Sequence, residues 1–144
     1  MSDDLTLLSV PFDSDLGRLG SRLRHEVFVV EQRVPPGLEL DEYDATATHV
    51  VAILDGDVVG VLRILFLPEH AKLGRVAVSA PHRGQGIAPR MMHFAMDLAR
   101  ARGETRFYLT AQIDRVRLYE RLGFVAYGEV FEEAGIRHLS MKTY

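Results

Sequence analysis

Six residues, Arg83-Gly84-Gln85-Gly86-Ile87-Ala88, lie between a short apolar run at 74–78 and a stretch of helical periodicity from 87 to 102. Glycines in a strand-to-helix turn let the backbone approach a ligand closely and leave several N–H groups aimed at one point. The helix macrodipole adds partial positive charge there, which makes the turn a seat for phosphate. The context points to a ligand that carries a diphosphate. Two familiar phosphate loops do not fit. The nucleotide-hydrolase loop needs a Gly-Lys pair followed by Ser or Thr, and no such Lys follows here. The dinucleotide fingerprint needs a third glycine where Pro89 stands. What remains, Arg-x-x-Gly-x-Ala, also suits an ordinary tight turn, so the rest of the chain must decide.

Hydrophobic patterning sets this turn within a series of strands and helices. Residues 5–10 read as a strand stopped by Pro11. Asp13 or Ser14 caps a helix with Leu16, Leu19, Leu23, Val27 and Val30 on its apolar face, ending near Gln32. The acidic stretch 37–48, with Glu39, Asp41, Glu42 and Asp44, reads as a solvated loop. Strands at 49–54 and 58–66 join through Asp55-Gly56, a dipeptide suited to a positive-φ hairpin turn. A strand at 73–79 feeds the glycine turn. The helix at 87–102 buries Ile87, Met91, Phe94, Ala95, Leu98 and Ala99 and stops at Gly103. A strand at 106–110, a short helix around 114–122, and strands at 124–130 and 136–142 complete the order β-α-β-β-β-α-β-α-β-β. Antiparallel hairpins followed by βα units predict an α/β (mixed α+β) class, a mixed sheet covered by helices, with residues 1–144 forming one domain.

Composition narrows the function classes. A net charge of −3 gives no case for nucleic acid or an anionic membrane, both of which call for a concentrated basic face. With no cysteine there is no disulfide, no thiolate metal site and no cysteine nucleophile, and no metal is expected. The start, Met1-Ser2-Asp3-Asp4, is acidic and lacks the pattern of a signal peptide. No apolar run approaches the ~18 residues of a membrane span, so a cytoplasmic location is expected.

A second signal lies in Leu118-Tyr119-Glu120-Arg121-Leu122-Gly123-Phe124. Together with Val76-Ala77-Val78, the turn from Arg83 to Ala88 and the element order, it resembles the Gcn5-related N-acetyltransferase (GNAT) family over nearly the whole chain. Arg24 to Gln32, then Asp41-Glu42-Tyr43-Asp44 and His49, resemble a bacterial subgroup of small members. The ending from Gly128 through Ile136-Arg137-His138 is similar to the glyphosate N-acetyltransferase branch. The resemblance implies a central, mostly antiparallel sheet splayed at the cofactor site. It implies acetyl-CoA as co-substrate, with transfer of the acetyl group to a primary amine, and is compatible with a homodimer. Carried over, Val76, Ala77 and Val78 line the pantetheine arm, held by main-chain hydrogen bonds. The N–H groups of Gly84, Gln85, Gly86, Ile87 and Ala88 take the pyrophosphate, with Arg83 adding positive charge. Gln112, where many members carry Asn, touches the pantetheine.

The chemistry asks for three further things. An amine protonated at neutral pH needs a base, the tetrahedral oxyanion needs a donor, and the departing thiolate accepts a proton. A strand N–H around residues 76–78 suits the oxyanion. The family often uses the tyrosine of the Leu-Tyr motif as the acid, here Tyr119; a plain core aromatic is the alternative. His138 is the leading base, because imidazole titrates near neutral pH and the glyphosate branch has its histidine on this strand. A structural strand histidine is the alternative, and Glu31, Asp41 and Asp44 compete for the role. His49 reads as structural or pocket-lining. Arg24 and Arg63 are candidate anion-binding groups for the acceptor, unless Arg24 is a solvated helix residue and Arg63 pairs across strands. The acidic run instead favours a cationic acceptor. Three functions stay open: transfer to a small amine-bearing metabolite, transfer to a protein or peptide, and cofactor binding without transfer.

Overall fold

The computed structural model describes residues 4–144; the first three residues of the acidic start lie outside it. Seven strands form one sheet in the order β1-β2-β3-β4-β5-β7-β6. They are β1 Thr6–Val10, β2 Thr48–Leu54, β3 Asp57–Phe66, β4 Ala71–Val78, β5 Phe107–Gln112, β6 Val125–Glu133 and β7 Ile136–Lys142. All neighbours run antiparallel except β4 and β5. Asp55 and Gly56 both take positive φ, +51° and +83°, as the β2–β3 hairpin requires. This is the mixed α+β architecture expected from the pattern.

The parallel pair carries the feature that matters most. β4 and β5 are bonded only at Ala71–Phe107 and Lys72–Tyr108. Beyond those two rungs the strands diverge, leaving facing backbone edges unpaired. Just above the fork β4 also bulges: Val61 pairs with Ala77 and Arg63 with Gly74, so Arg75 and Val76 oppose Leu62 alone. Arg75 takes the left-handed φ of +53° at the bulge. The pattern predicted neither the bulge nor the start of β4 at Ala71.

Helices cover both faces. On one, α3 (Ile87–Ala101) buries Ile87, Met91, Met92, Ala95, Met96 and Ala99. On the other, α1 (Asp15–Arg24) is capped by the Ser14 hydroxyl, which accepts from the Gly17 N–H. It continues as a π-helical stretch, His25–Glu31. The buried face of this continuous helix differs from the expected stripe. Gly17, Gly20, Leu23, Arg24 and Val27 face inward, whereas Leu19 and Val30 are exposed. The glycines explain Leu19. A Cβ on Gly17 would sit 2.2 Å from the Pro11 carbonyl oxygen, and one on Gly20 would press on Val51 and Val61 at 3.2 and 3.3 Å. Bare backbone therefore faces the sheet, and the leucine turns outward. Val30 is displaced by the π turn, whose wider winding takes residues out of 3.6-residue phase.

The acidic stretch is not a solvated loop. It folds into a short helix α2 (Pro36–Glu39) and a 3₁₀ turn (Glu42–Ala45) closed by a capping box between Asp41 and Asp44. Glu39 and Asp44 are buried. Near the C-terminus, α4 (Val116–Glu120) follows a 3₁₀ turn and packs beneath β5 and β6. No helix among the described residues is long and apolar enough to cross a membrane.

Candidate active site

A cavity of about 980 Å³ opens along the fork between β4 and β5 and reaches from the glycine turn to the β6–β7 hairpin. Val76 and Val78 pack their side chains toward Ile87 and Met91, and Ala77 packs toward Val27. What β4 offers the fork is its unpaired main chain. At the mouth, Gly84 and Gly86 adopt φ of +78° and +79°. No side chain caps α3, so its first-turn N–H groups face the cavity without intrahelical acceptors. A Cβ at Gly84 or Gly86 would meet nothing within 4 Å, which leaves the space above the turn open. Gly84, Gly86, Ile87 and Ala88 line the cavity, while Gln85 is exposed on the turn.

Arg83 is less available than its sequence position implies. Its Nη atoms donate to both oxygens of Glu31 at 2.8 and 2.9 Å, and its Nε donates to the Val78 carbonyl. The pair fastens the end of the first helix to the glycine turn. The hydrogen bond from Arg83 holds the Glu31 carboxyl below its usual range, so Glu31 is a poor base.

Under the opposite wall lies an ionic cluster of three arginines and three carboxylates. Arg24, only 1% exposed, donates from Nε to Glu39 and from Nη1 and Nη2 to Asp44. Arg63 donates to Asp41 and Asp44, and Arg75 to the Glu39 and Leu38 carbonyls and to Asp41. Burial alone would raise Asp44, but hydrogen bonds from Arg24, the Asp41 N–H and Arg63 outweigh it and hold the carboxyl far below its usual range. The Arg63 hydrogen bond likewise lowers Asp41. Neither carboxylate suits proton removal at neutral pH. Arg24 and Arg63, expected as anion-binding groups, already carry carboxylate partners; Arg63 lines the cavity and Arg24 lies beneath it. His49 is buried, donates from Nε2 to the Asp44 carbonyl, and does not line the cavity.

The chain matches the acetyltransferase (GNAT) domain family over residues 15–144. The chain belongs to the GNAT family. It is 36% identical over 121 residues to the uncharacterized N-acetyltransferase YjcF of Bacillus subtilis, covering 83% of this chain and 86% of that one. An acyl-CoA N-acyltransferase from Pseudomonas aeruginosa superposes with a TM-score of 0.83 at 36% identity, covering 98% of this chain and 99% of that one. Escherichia coli ElaA superposes with a TM-score of 0.86 at 27% identity, covering 97% of this chain and 99% of that one. The protein is therefore an N-acetyltransferase. The narrower likeness to the glyphosate branch gains no support from these relatives.

In this GNAT enzyme the remaining expected groups converge on the cavity. Tyr119, from α4, stands edge-on to Phe124 with ring centroids 6.2 Å apart and is 7% exposed. Burial pushes its phenol up to about 12, so it stays protonated. His138 is 8% exposed on the cavity face of β7, opposite Gln112 in register, and lies against the Phe131 ring. Its Nδ1 donates to the Ile136 carbonyl at 2.7 Å, which leaves Nε2 as the acceptor nitrogen. That Nε2 is 3.8 Å from Glu133. The Gln112 amide donates to Gln32, tying β5 to the end of the first helix. Gln32, Arg75 and Glu133 were not anticipated. Gly74 beside Arg75 was the one available hint, since a glycine inside a strand often marks a bulge.

Proposed function

We propose that this N-acetyltransferase moves the acetyl group of acetyl-CoA onto the primary amine of a small metabolite by direct attack on the thioester. The observation that carries this reading is the join of an uncapped glycine turn to a fork with two unpaired strand edges. The turn suits a diphosphate: free N–H groups, the positive end of a 15-residue helix, and open space above the glycines. The fork suits an extended amide-bearing arm, because strand edges bond such a chain as they would another strand. When bound, acetyl-CoA supplies an acyl group already activated as a thioester.

The chain's own residues then have defined tasks. The main chain of Val76, Ala77 and Val78 orients the arm, and Gln112 borders it. A main-chain N–H of β4 among residues 76–78 donates to the carbonyl oxygen as charge develops. His138 takes the amine's proton at Nε2, its ring held by the Ile136 carbonyl. Tyr119 gives its proton to the departing sulfur. Glu31, Asp41 and Asp44, held ionised by arginines, are poor bases, which supports His138 in the role. Thiol release from acetyl-CoA over a panel of amines, beside cofactor binding by thermal shift, tests the reading. Tight binding with no turnover on any amine would favour a binding module instead.

A further inference from the structure

The cavity wall formed by β5 is electrically polarised. Thr110 and Tyr108 point from the same face of β5, two residues or about 7 Å apart. At Thr110 the hydroxyl donates to Glu133, which stands 3.8 Å from His138 Nε2 and has no arginine or lysine partner among the described residues. At Tyr108 the ammonium of Lys72 lies 5.9 Å from the ring centre, and Lys72 has no carboxylate partner among the described residues. Lys72 and Glu133 both line the cavity. Behind Lys72 stand two more cations seated on rings: Lys142 over Tyr127 and Tyr144, and Arg106 over Tyr144. An aromatic face holds a cation without neutralising it. By contrast, Arg63, Arg75 and Arg83 in the same cavity all have carboxylate partners; Arg115 and Arg121 also line it, at the two ends of α4 and not on the β5 wall, Arg115 beside Asp114 and Arg121 with no ion pair among the described residues.

One end of the acceptor space therefore presents an available carboxylate beside the base, and the other an available ammonium backed by positive charge. We infer that the acceptor is a short amine that also carries an acidic group, its ammonium received at Glu133 and its acidic group at Lys72. This rests on the acetyl-transfer reading and names the substrate class within it. Glu133 draws the charged amine to within reach of His138, and Lys72 sets which end enters first. The spacing along β5 suits an amine and an acid separated by a few carbons. A diamine would set an ammonium against Lys72, and a simple alkylamine would leave Lys72 unanswered.

The test uses the full chain, acetyl-CoA and matched acceptors: glycine, 3-aminopropanoate and 4-aminobutanoate against ethylamine, propylamine, butylamine and putrescine. At least one amino acid should exceed its matched alkylamine about tenfold in kcat/KM, the equivalent of one retained ion pair (~1.4 kcal/mol). Lys72→Met should collapse that ratio through KM, and Lys72→Glu should turn the preference toward putrescine. A thermal melt of each variant shows that it is folded. A wild-type preference for alkylamines or putrescine overturns the inference and leaves the acetyl-transfer reading standing, as does a ratio unmoved by Lys72→Met. Turnover of none of these amines overturns the inference, and cofactor binding measured separately decides the reading beneath it.

Discussion

Tyr119 and Asp44 differ in what a substitution should remove, a hydroxyl at the cavity in one case and a buried ionic partner in the other. Tyr119→Phe keeps the ring that packs edge-on against Phe124 and removes only the hydroxyl. It should lower kcat about tenfold to a hundredfold with little change in the KM for acetyl-CoA, as expected for an interaction made in the transition state. Steady-state kinetics check this, and an unaltered kcat removes Tyr119 from the role. Asp44 gives a stability prediction. Its folded-state carboxyl titrates below the ordinary value of 3.8, as does that of Asp41, so their stabilisation is complete above about pH 4 and drains away as pH falls through the folded values. Urea midpoints should begin to fall below about pH 6.5, where the unfolded chain protonates His49 while burial holds the folded imidazole below its usual range, and should drop more steeply below 4. Asp44→Asn should cost about 3–5 kcal/mol at pH 7, because Arg24 and Arg63 would stay buried with a partner lost. Both acids stand within a run of charges that, taken alone, reads as solvated. Their partners lie up to 34 residues away in sequence, and no local pattern announces a pairing at that distance.

Elements were legible where one period ran unbroken. β7 and the start of α3 fall where the sequence sets them, and the turn between β2 and β3 has the conformation that Asp-Gly implies. The first helix was misread because two glycines, usually helix breakers, are its contact surface. Gly17→Ala should destabilise the fold by about 2–3 kcal/mol, since the new Cβ would collide with the carbonyls of Pro11 and Phe12. Equilibrium unfolding measures it, and a neutral result would mean that the helix is not seated on that turn. The glycine turn calls for the opposite test. Gly86 has open space around it, and aspartate tolerates positive φ better than most residues, so Gly86→Asp should fold. It should nonetheless weaken coenzyme A binding at least tenfold by placing a carboxylate at the anion seat. Calorimetric titration separates the two effects.

Across the whole molecule, the fork and the ionic cluster are parts of one arrangement. Arg75 sits at the bulge just above the fork, and its guanidinium joins α2 and Asp41 to β4. The Glu31–Arg83 pair joins the first helix to the glycine turn across the other end of the cavity. The first helix and α2 are thereby fastened to the glycine turn and β4 across the cavity. The residues that the family resemblance names for the cofactor are mostly local runs on one strand and one helix, and all but Gln85 line the cavity. The rest of the cavity lining was far less legible: Lys72, Glu133 and Gln32 come from three separate segments that only the fold brings together.

The most direct test of the account is a crystal structure of the protein grown with coenzyme A. It should show the diphosphate about 2.7–3.2 Å from amide nitrogens between Arg83 and Ala88, and the pantetheine amides bonded to the β4 edge at residues 76–78. Ordered coenzyme A bound elsewhere, with the glycine turn and the fork both unliganded, would contradict it.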